Sequence, residues 1–170
     1  MDFVFNQTWF VVLLVLHTIG AIVGIGPAFA FGIIGAKIEK ATTTEARVAL
    51  IDTMHSIEKG MLSPTVRFVQ WTTGVGLIFN RGLDHGFFTK SHLWLTVSIA
   101  LYIVLTVLGE ALYAPNTKRL QRAAQAGDSA AMDRELAIGK KLGPIAPLLT
   151  LVIIVLMVWK PGSGCATLSC

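Results

Sequence analysis

His17 is the first side chain of the sequence whose chemistry needs an explanation. It lies in the stretch WFVVLLVLHTIGAIVGIGPAFAFGII, residues 9–34, which contains no Lys, Arg, Asp or Glu. A polar or ionisable side chain in an apolar helix is costly, so it faces a partner, a cavity or a ligand. Neutral imidazole is also a common metal ligand. His17 therefore has two interpretations: it binds haem or a metal, or it is a structural histidine hydrogen-bonded to a tyrosine or threonine.

Other polar residues are predicted to lie at the depth of His17, which is roughly 12 Å below Trp9 in a helix. The same count along the later apolar segments reaches a layer of Thr and Tyr side chains. His92 is the only other histidine that could approach a ligand in this layer, because His55 belongs to the opposite side. The candidate cofactor-binding residues are His17, His92, Tyr102, Thr73 and Gly24, with His17 as the metal ligand and no catalytic residue assigned.

Small residues recur every four positions along the helix that carries His17. They are Gly20, Gly24, Ala28, Gly32 and Ala36. Small residues at this spacing let another backbone approach closely. The face that carries His17 is therefore predicted to be a packed face, which holds either the edge of a flat ligand or a neighbouring helix. Pro27 is predicted to bend the helix.

Arg67 and Glu110 predict an ionic contact nearer the other side of the membrane. Arg67 lies about six residues into the second apolar segment, and Glu110 about four residues before the end of the third, so their depths nearly match. A pair would neutralise both charges, and Gln70, one turn away, could extend it. The alternatives are a proton or anion path, and an Arg67 side chain that reaches lipid phosphates.

Four apolar segments are long enough to hold these residues in a bilayer. The 170-residue chain is 54% hydrophobic and 14% charged, with a mean hydropathy of +0.67, as is typical of membrane proteins. The sequence predicts an all-α fold: a four-helix up-down bundle with short amphipathic cytoplasmic helices, forming one membrane domain over residues 1–170. The predicted transmembrane helices are about 9–36, 61–79, 93–114 and 142–159.

The positive charges are distributed unevenly between the connections. The connections 37–60 and 115–142 hold ten Lys and Arg residues, whereas the N-terminus, the 80–92 loop and the tail hold three. The positive-inside rule then places both termini outside a multi-pass protein of a bacterial inner (plasma) membrane. No cleaved leader is expected, because MDFVFNQT lacks basic residues and the apolar run that follows is too long for a signal peptide.

Both cytoplasmic connections contain helix-start signals. Thr42-Thr43-Thr44-Glu45 matches a capping box, which predicts an amphipathic helix from about Thr43 to Lys59 that ends at Gly60. In the second connection, two polar helices broken at Gly127-Asp128 are predicted, the second capped by Ser129. These helices are interpreted as solvated connectors rather than as a site for a partner or for anionic lipid.

Several other functions are excluded or restricted by the sequence. It contains none of the spacings of phosphate loops, nucleophile elbows or zinc clusters. The net charge of +4 follows the membrane topology, so it does not indicate nucleic acid. Cys165 and Cys170 in the tail are predicted to lie on the oxidising side and to form a short-range disulfide.

The motifs LHTIGAIVGIGPAFAFG in the first helix and WTTGVGLIF in the second resemble a family of small bacterial four-helix membrane proteins of unknown function. That family is distantly similar to copper-resistance D (CopD) proteins and HemJ-type protoporphyrinogen oxidases. The shared pattern is the first-helix histidine, the glycines after it and Thr73-Gly74, and it covers most of the four-helix region. In the HemJ type that histidine is associated with haem, so the resemblance implies a haem role for His17.

The chain departs from both relatives in one respect each. The HemJ type needs a lysine in the third helix, and residues 93–114 contain none. The methionine- and histidine-rich ligation of copper-resistance proteins is missing, because the five methionines do not cluster. These departures argue against porphyrinogen oxidation and weaken the case for a copper-resistance role.

Two functions remain open at this point, and the sequence does not decide whether the protein is an enzyme. One is binding of haem b or a metal through His17 for redox or haem handling. The other is a non-catalytic accessory subunit whose small-residue face packs against a larger membrane complex. The expected partners are the lipid bilayer and other membrane subunits or a second copy of the chain.

The charge asymmetry predicts how single cysteines react with a membrane-impermeant thiol reagent in intact cells. In a variant whose Cys165 and Cys170 are replaced by Ser, cysteines placed at 80–90 should be labelled and cysteines placed at 118–134 should not. Permeabilised cells, in which both sets react, serve as the control. Labelling of cysteines at 118–134 without labelling at 80–90 would show that the protein has the opposite orientation in the membrane.

Overall fold

A computed structural model describes residues 7–80 and 92–161, and these residues are almost entirely helical. Within them, α-helices alternate with three short segments of wider, π-type hydrogen bonding, which are Glu58–Leu62, Thr65–Gln70 and Gly109–Tyr113. The α-helices are α1 Gln7–Lys40, α2 Thr44–Ile57, α3 Trp71–Asn80, α4 Leu93–Leu108, α5 Ala114–Gln125, α6 Ser129–Leu142 and α7 Ile145–Trp159. The predicted Cys165–Cys170 disulfide lies outside the described residues.

These segments join end to end into four long rods. Rod 1 is α1, rod 2 is residues 44–80, rod 3 is residues 93–125 and rod 4 is residues 129–159. The sequence predicts a helix end at Gly60, but rod 2 continues past this residue. It continues because wide turns on both sides of Pro64 accommodate a residue that cannot donate a backbone hydrogen bond.

Side-chain caps begin both helices of the polar connections, each one residue from the predicted position. Thr43 accepts a hydrogen bond from the Ala46 amide at 3.2 Å, so the cap is Thr43 rather than the Thr42 of the predicted box. Asp128 accepts one from the Ala131 amide at 2.9 Å and replaces the predicted cap Ser129. The helices themselves lie where the sequence predicts them.

Each rod packs against two others. Rods 1 and 3 both contact rods 2 and 4. Rods 1 and 2 are antiparallel, because Gly24 contacts Thr65 whereas the earlier residue His17 contacts the later residue Thr73. This arrangement lets rod 2 bring polar side chains to both rod 1 and rod 3.

The buried apolar core lies at one end of the rods, in the segments predicted to be polar connections. It consists of Ile38, Ile51, Leu120, Ala123, Ala124, Met132 and Leu136. Ion pairs between Arg47 and Asp133 and between Lys140 and Glu39 lie at its edge, and exposed pairs of this kind contribute about 0–1 kcal/mol each. The end of α1 and the helices α2, α5 and α6 therefore form a packed bundle, called the core bundle below, and not the solvated connectors predicted.

Three of the rods are long and apolar enough to cross a membrane: Gln7–Lys40, Leu93–Gln125 and Ser129–Trp159. Between 6% and 11% of each apolar window is buried, so most of these side chains face outward. Rod 2 is less apolar because Pro64, Arg67 and Gln70 interrupt its hydrophobic run. The described residues therefore form an all-helical membrane protein with three candidate spans, whereas the sequence predicts four.

Tyr113 stabilises the junction between α6 and α7. Its hydroxyl donates a hydrogen bond to the Leu142 carbonyl at 2.6 Å and accepts one from the Ala146 amide at 3.2 Å. These two groups are four residues apart and would bond directly in an uninterrupted helix. The Tyr113 hydroxyl is thus inserted into the backbone of rod 4 and ties that rod to rod 3.

Replacing Tyr113 by Phe should lower the thermal unfolding midpoint of the detergent-solubilised protein. The change leaves a carbonyl and an amide unpaired, which costs about 1–3 kcal/mol. Tyr102→Phe is the matched control, because the Tyr102 hydroxyl bonds one carbonyl, that of Val66, and should cost less. Equal stability of Tyr113→Phe and wild type would show that the insertion contributes nothing.

Candidate functional site

His17 is held by two consecutive residues of rod 2. Its Nδ1 lies 2.9 Å from the Thr73 hydroxyl oxygen. A Cβ built on Gly74 would lie 3.4 Å from the imidazole Cε1, so the absence of a side chain there lets the ring approach. The contact with Thr73 is the hydrogen bond to a threonine that the structural interpretation of His17 predicts, and the Thr73-Gly74 motif holds the ring in place.

The hydrogen bonds of Thr73 determine which nitrogen of His17 carries the proton. The Thr73 hydroxyl donates its one proton to the Val69 carbonyl, 2.6 Å away in the preceding turn. It can then only accept from the imidazole, so Nδ1 is the protonated nitrogen and Nε2 carries the lone pair. Among the residues that the structure describes, Nε2 has no hydrogen-bond partner.

The glycine face of α1 contacts rod 2. A Cβ on Gly20 would lie 2.9 Å from Val69 Cγ1, and a Cβ on Gly24 would lie 2.8 Å from Thr65 Cγ2. Both distances are too short for a real side chain. Gly24 therefore serves close helix packing, and the alternative in which these glycines border a flat ligand does not fit the geometry.

Tyr102 and His92, the remaining predicted site residues, lie on rod 3. The Tyr102 ring packs edge-on against Trp71, with centroids 5.3 Å apart, and its hydroxyl bonds the Val66 carbonyl rather than His17. His92 is the N-cap residue of α4, ten positions before Tyr102 and so roughly 15 Å from it along the axis. The structure does not bring either residue to the His17 imidazole, and a ligand role for them stays a prediction.

The donor set around His17 fits some metal centres and not others. No group of three or more His, Cys, Asp or Glu side chains that could hold a metal ion occurs in residues 7–80 and 92–161. A bare ion such as zinc needs three or four protein ligands, whereas haem brings its own four nitrogens and needs one or two. A single imidazole with its other nitrogen donated to a partner is suited to haem.

Arg67 and Glu110 form the predicted ionic contact. The Arg67 Nε donates to Glu110 Oε1 at 2.5 Å, and Nη2 donates to Oε2, a two-pronged geometry. The sequence suggests that Gln70 could extend this pair, but the Gln70 side chain lies elsewhere. It is 5% exposed and lies against Gly20, and its Oε1 has no hydrogen-bond partner among the described residues.

A second polar site, which the sequence analysis missed, lies between rods 2 and 3. It is a cavity of about 470 Å³, called the polar cavity below. Its described lining includes one carboxylate, that of Glu58, and four Lys or Arg side chains: Lys59, Arg67, Lys118 and Arg122. A signal for it exists in the sequence, because two pairs of cationic or ionisable residues, His55 with Lys59 and Lys118 with Arg122, have the four-residue spacing of one helix face.

Two buried polar atoms face each other in the wall of the polar cavity. His55 Nδ1 and Glu58 Oε2 are 3.9 Å apart, and neither has a hydrogen-bond partner among the described residues. Burial raises the pKa of the Glu58 carboxyl, whereas the Thr117 hydroxyl and the Lys118 charge lower it. His55 lies eighteen residues from Thr73, roughly 27 Å along rod 2, which agrees with its predicted position on the other side.

The Arg67–Glu110 contact should appear as a coupling energy in a double-mutant cycle. Arg67→Met or Glu110→Gln alone leaves one charge without its partner, so each should destabilise the protein more than the double variant does. Both side chains are about half exposed, which limits the expected coupling to about 1 kcal/mol. Additive losses of unfolding free energy would show that the two charges do not interact.

Comparison with known proteins assigns the chain to a family. The model of the family described as "Predicted integral membrane protein (DUF2269)" matches residues 11–161, and the chain belongs to this family. No curated protein and no solved structure matches the chain. The resemblance to copper-resistance D and HemJ-type proteins therefore rests only on the motifs of rods 1 and 2.

Proposed function

We propose that this DUF2269 protein binds haem b through Nε2 of His17, for redox chemistry or for haem handling. The observation that carries the proposal is the hydrogen bond from His17 Nδ1 to Thr73, which directs the proton away from Nε2. Histidines that bind metals almost always donate their other ring nitrogen to such a partner, which fixes the tautomer and the ring orientation. Bound haem would supply one-electron chemistry at iron.

The residues around His17 have separate roles in this proposal. His17 would bind the haem iron, Thr73 would be a positioning residue that holds the ring by Nδ1, and Gly74 leaves room for the ring because it has no side chain. The ligand would approach from the Nε2 side, because rod 2 fills the side lined by Gly20 and Gly24. A second ligand is not assigned from the structure, and the His92→Ala variant below tests the role that the sequence predicts for His92.

We further propose that rod 2 is a fourth span, which gives an up-down bundle with both termini outside the inner membrane. Large apolar side chains support this, since Phe68 is 69% exposed and Phe79 is 59% exposed although rod 2 carries Arg67. The ion pair with Glu110 reduces the cost of placing Arg67 near the bilayer. The orientation rests on the surplus of Lys and Arg in the connections that form the core bundle.

The second candidate function is a non-catalytic accessory subunit of a larger membrane complex. It is supported by open space on α1, where a Cβ on Gly26 or Gly32 would have no neighbour within 4 Å. Both glycines are exposed. Another helix backbone could approach closely there, from a partner subunit or a second copy of the chain.

The haem proposal predicts a Soret band for the purified protein after incubation with haem, and its loss in His17→Ala. Thr73→Val keeps the shape of the side chain but removes the acceptor for Nδ1, and it should weaken haem binding roughly 10- to 100-fold. His55→Ala is the matched control and should leave the spectrum unchanged. His92→Ala should alter the spin state if His92 is the second ligand.

The spectra of the wild-type protein and of His17→Ala also distinguish the two candidate functions. A wild-type protein with no Soret band, or a band that survives His17→Ala, would exclude haem ligation by His17. In that case His17→Ala should cost only about 1 kcal/mol of stability, the net value of its hydrogen bond to Thr73. Mass spectrometry of mildly solubilised membranes would then look for a stoichiometric membrane subunit, which the accessory function requires.

A further inference from the structure

The polar cavity lies where the core bundle meets the apolar part of rods 2 and 3. His55 and Glu58 line its core-bundle end, and Arg67 lines the end nearer the apolar segment 61–79. Its wall on rod 3 begins at Ala114, where the apolar segment 93–114 ends. If these segments cross the bilayer, the cavity lies at the depth of the inner-leaflet headgroups.

The charges around the cavity are not balanced. Arg67 is neutralised by Glu110, which lies on the neighbouring turn of rod 3. The other three cations, Lys59, Lys118 and Arg122, form no ion pair with any residue that the structure describes, although they line one common cavity. The carboxylate of Asp52, which does not line the cavity, accepts a hydrogen bond from the cavity residue Gln121.

The wall also offers further hydrogen-bonding groups. His55 Nδ1 is buried and unbonded among the described residues, and Ser63 and Gln125 line the same space. Two π-type segments, Glu58–Leu62 and Gly109–Tyr113, lie beside the cavity on its two rods. Such segments are rare and occur frequently at functional sites, because they redirect side chains that a regular helix would place elsewhere.

We propose that the polar cavity binds a phosphate group, with Lys59, Lys118 and Arg122 supplying the charge and His55 a hydrogen bond. The volume of about 470 Å³ is in the range of small-ligand pockets and exceeds the needs of a simple halide. A phosphate carries between one and two negative charges and several acceptor oxygens, which matches three cations around one carboxylate. The phosphate belongs to a lipid headgroup or to a soluble phosphate compound, and the site is independent of His17.

The test uses the full-length protein in nanodiscs and two variants of equal net charge. Lys118→Gln with Arg122→Gln removes two cavity cations, whereas Lys40→Gln with Lys141→Gln removes two exposed cations of the core bundle that do not line the cavity. The lipid arm measures, by native mass spectrometry, retention of phosphatidylglycerol over phosphatidylcholine. The soluble arm measures binding of inorganic phosphate by calorimetry in phosphatidylcholine nanodiscs.

The cavity variant should lose roughly tenfold or more of its affinity for the probe that binds, and the control variant should change less than about threefold. Binding in the lipid arm alone assigns the site to a headgroup, and binding of inorganic phosphate assigns it to a soluble ligand. A variant that keeps both charges, Lys118→Arg with Arg122→Lys, should bind the probe nearly as well as the wild type. This result would show that the loss in the cavity variant comes from the missing charges and not from any substitution at these two positions. No binding of either probe, or equal losses in the cavity and control variants, would overturn the proposal.

Discussion

The close contact between α1 and rod 2 determines where the other polar groups of the protein lie. Gly20 and Gly24 present no side chain to rod 2, so Val69 and Thr65 occupy the positions where Cβ atoms would otherwise be. Helices that meet in this way can slide very little, because each step along the axis replaces a glycine by a larger residue. The register that results places Thr73 and Gly74 against His17, and the imidazole is oriented by packing as well as by its hydrogen bond.

The same register separates two polar levels of different chemistry along rod 2. At the level of Thr73 the groups are an imidazole and a hydroxyl. Six residues away, roughly 9 Å along the axis, Arg67 begins an ionic level that continues into the polar cavity. The apolar surfaces of the rods face outward, whereas the buried apolar side chains lie in the core bundle. The protein therefore combines a lipid-facing part held by small and polar residues with a packed part held by ordinary hydrophobic burial.

The helical architecture follows from the sequence because it depends on long apolar runs and on local caps. The sequence correctly predicts the Arg67–Glu110 contact from matched depth, and the structural interpretation of His17 includes the threonine partner that is observed. It wrongly predicts a helix end at Gly60, because π-type turns around Pro64 depend on tertiary packing that no local propensity expresses. The core bundle was missed for a related reason: Ile51 and Leu120 belong to charged segments, and only the fold shows that their apolar faces meet. Gly24 was correctly placed on a packed face, but whether a ligand or a helix fills that face depends on side chains of another rod.

The tautomer of His17 tests the central claim most directly, because it depends on the helix contact and it determines what the imidazole can bind. Nitrogen NMR of the ligand-free protein labelled with ¹⁵N-histidine in nanodiscs, with His17→Gln to assign the signals, distinguishes protonated from unprotonated ring nitrogens. The structure predicts a neutral ring with the proton on Nδ1 and a lone pair on Nε2, and it predicts that Thr73→Val shifts this population towards the other tautomer. A His17 ring that carries its proton on Nε2 in the wild-type protein would contradict both the Thr73 contact and the proposed ligand role.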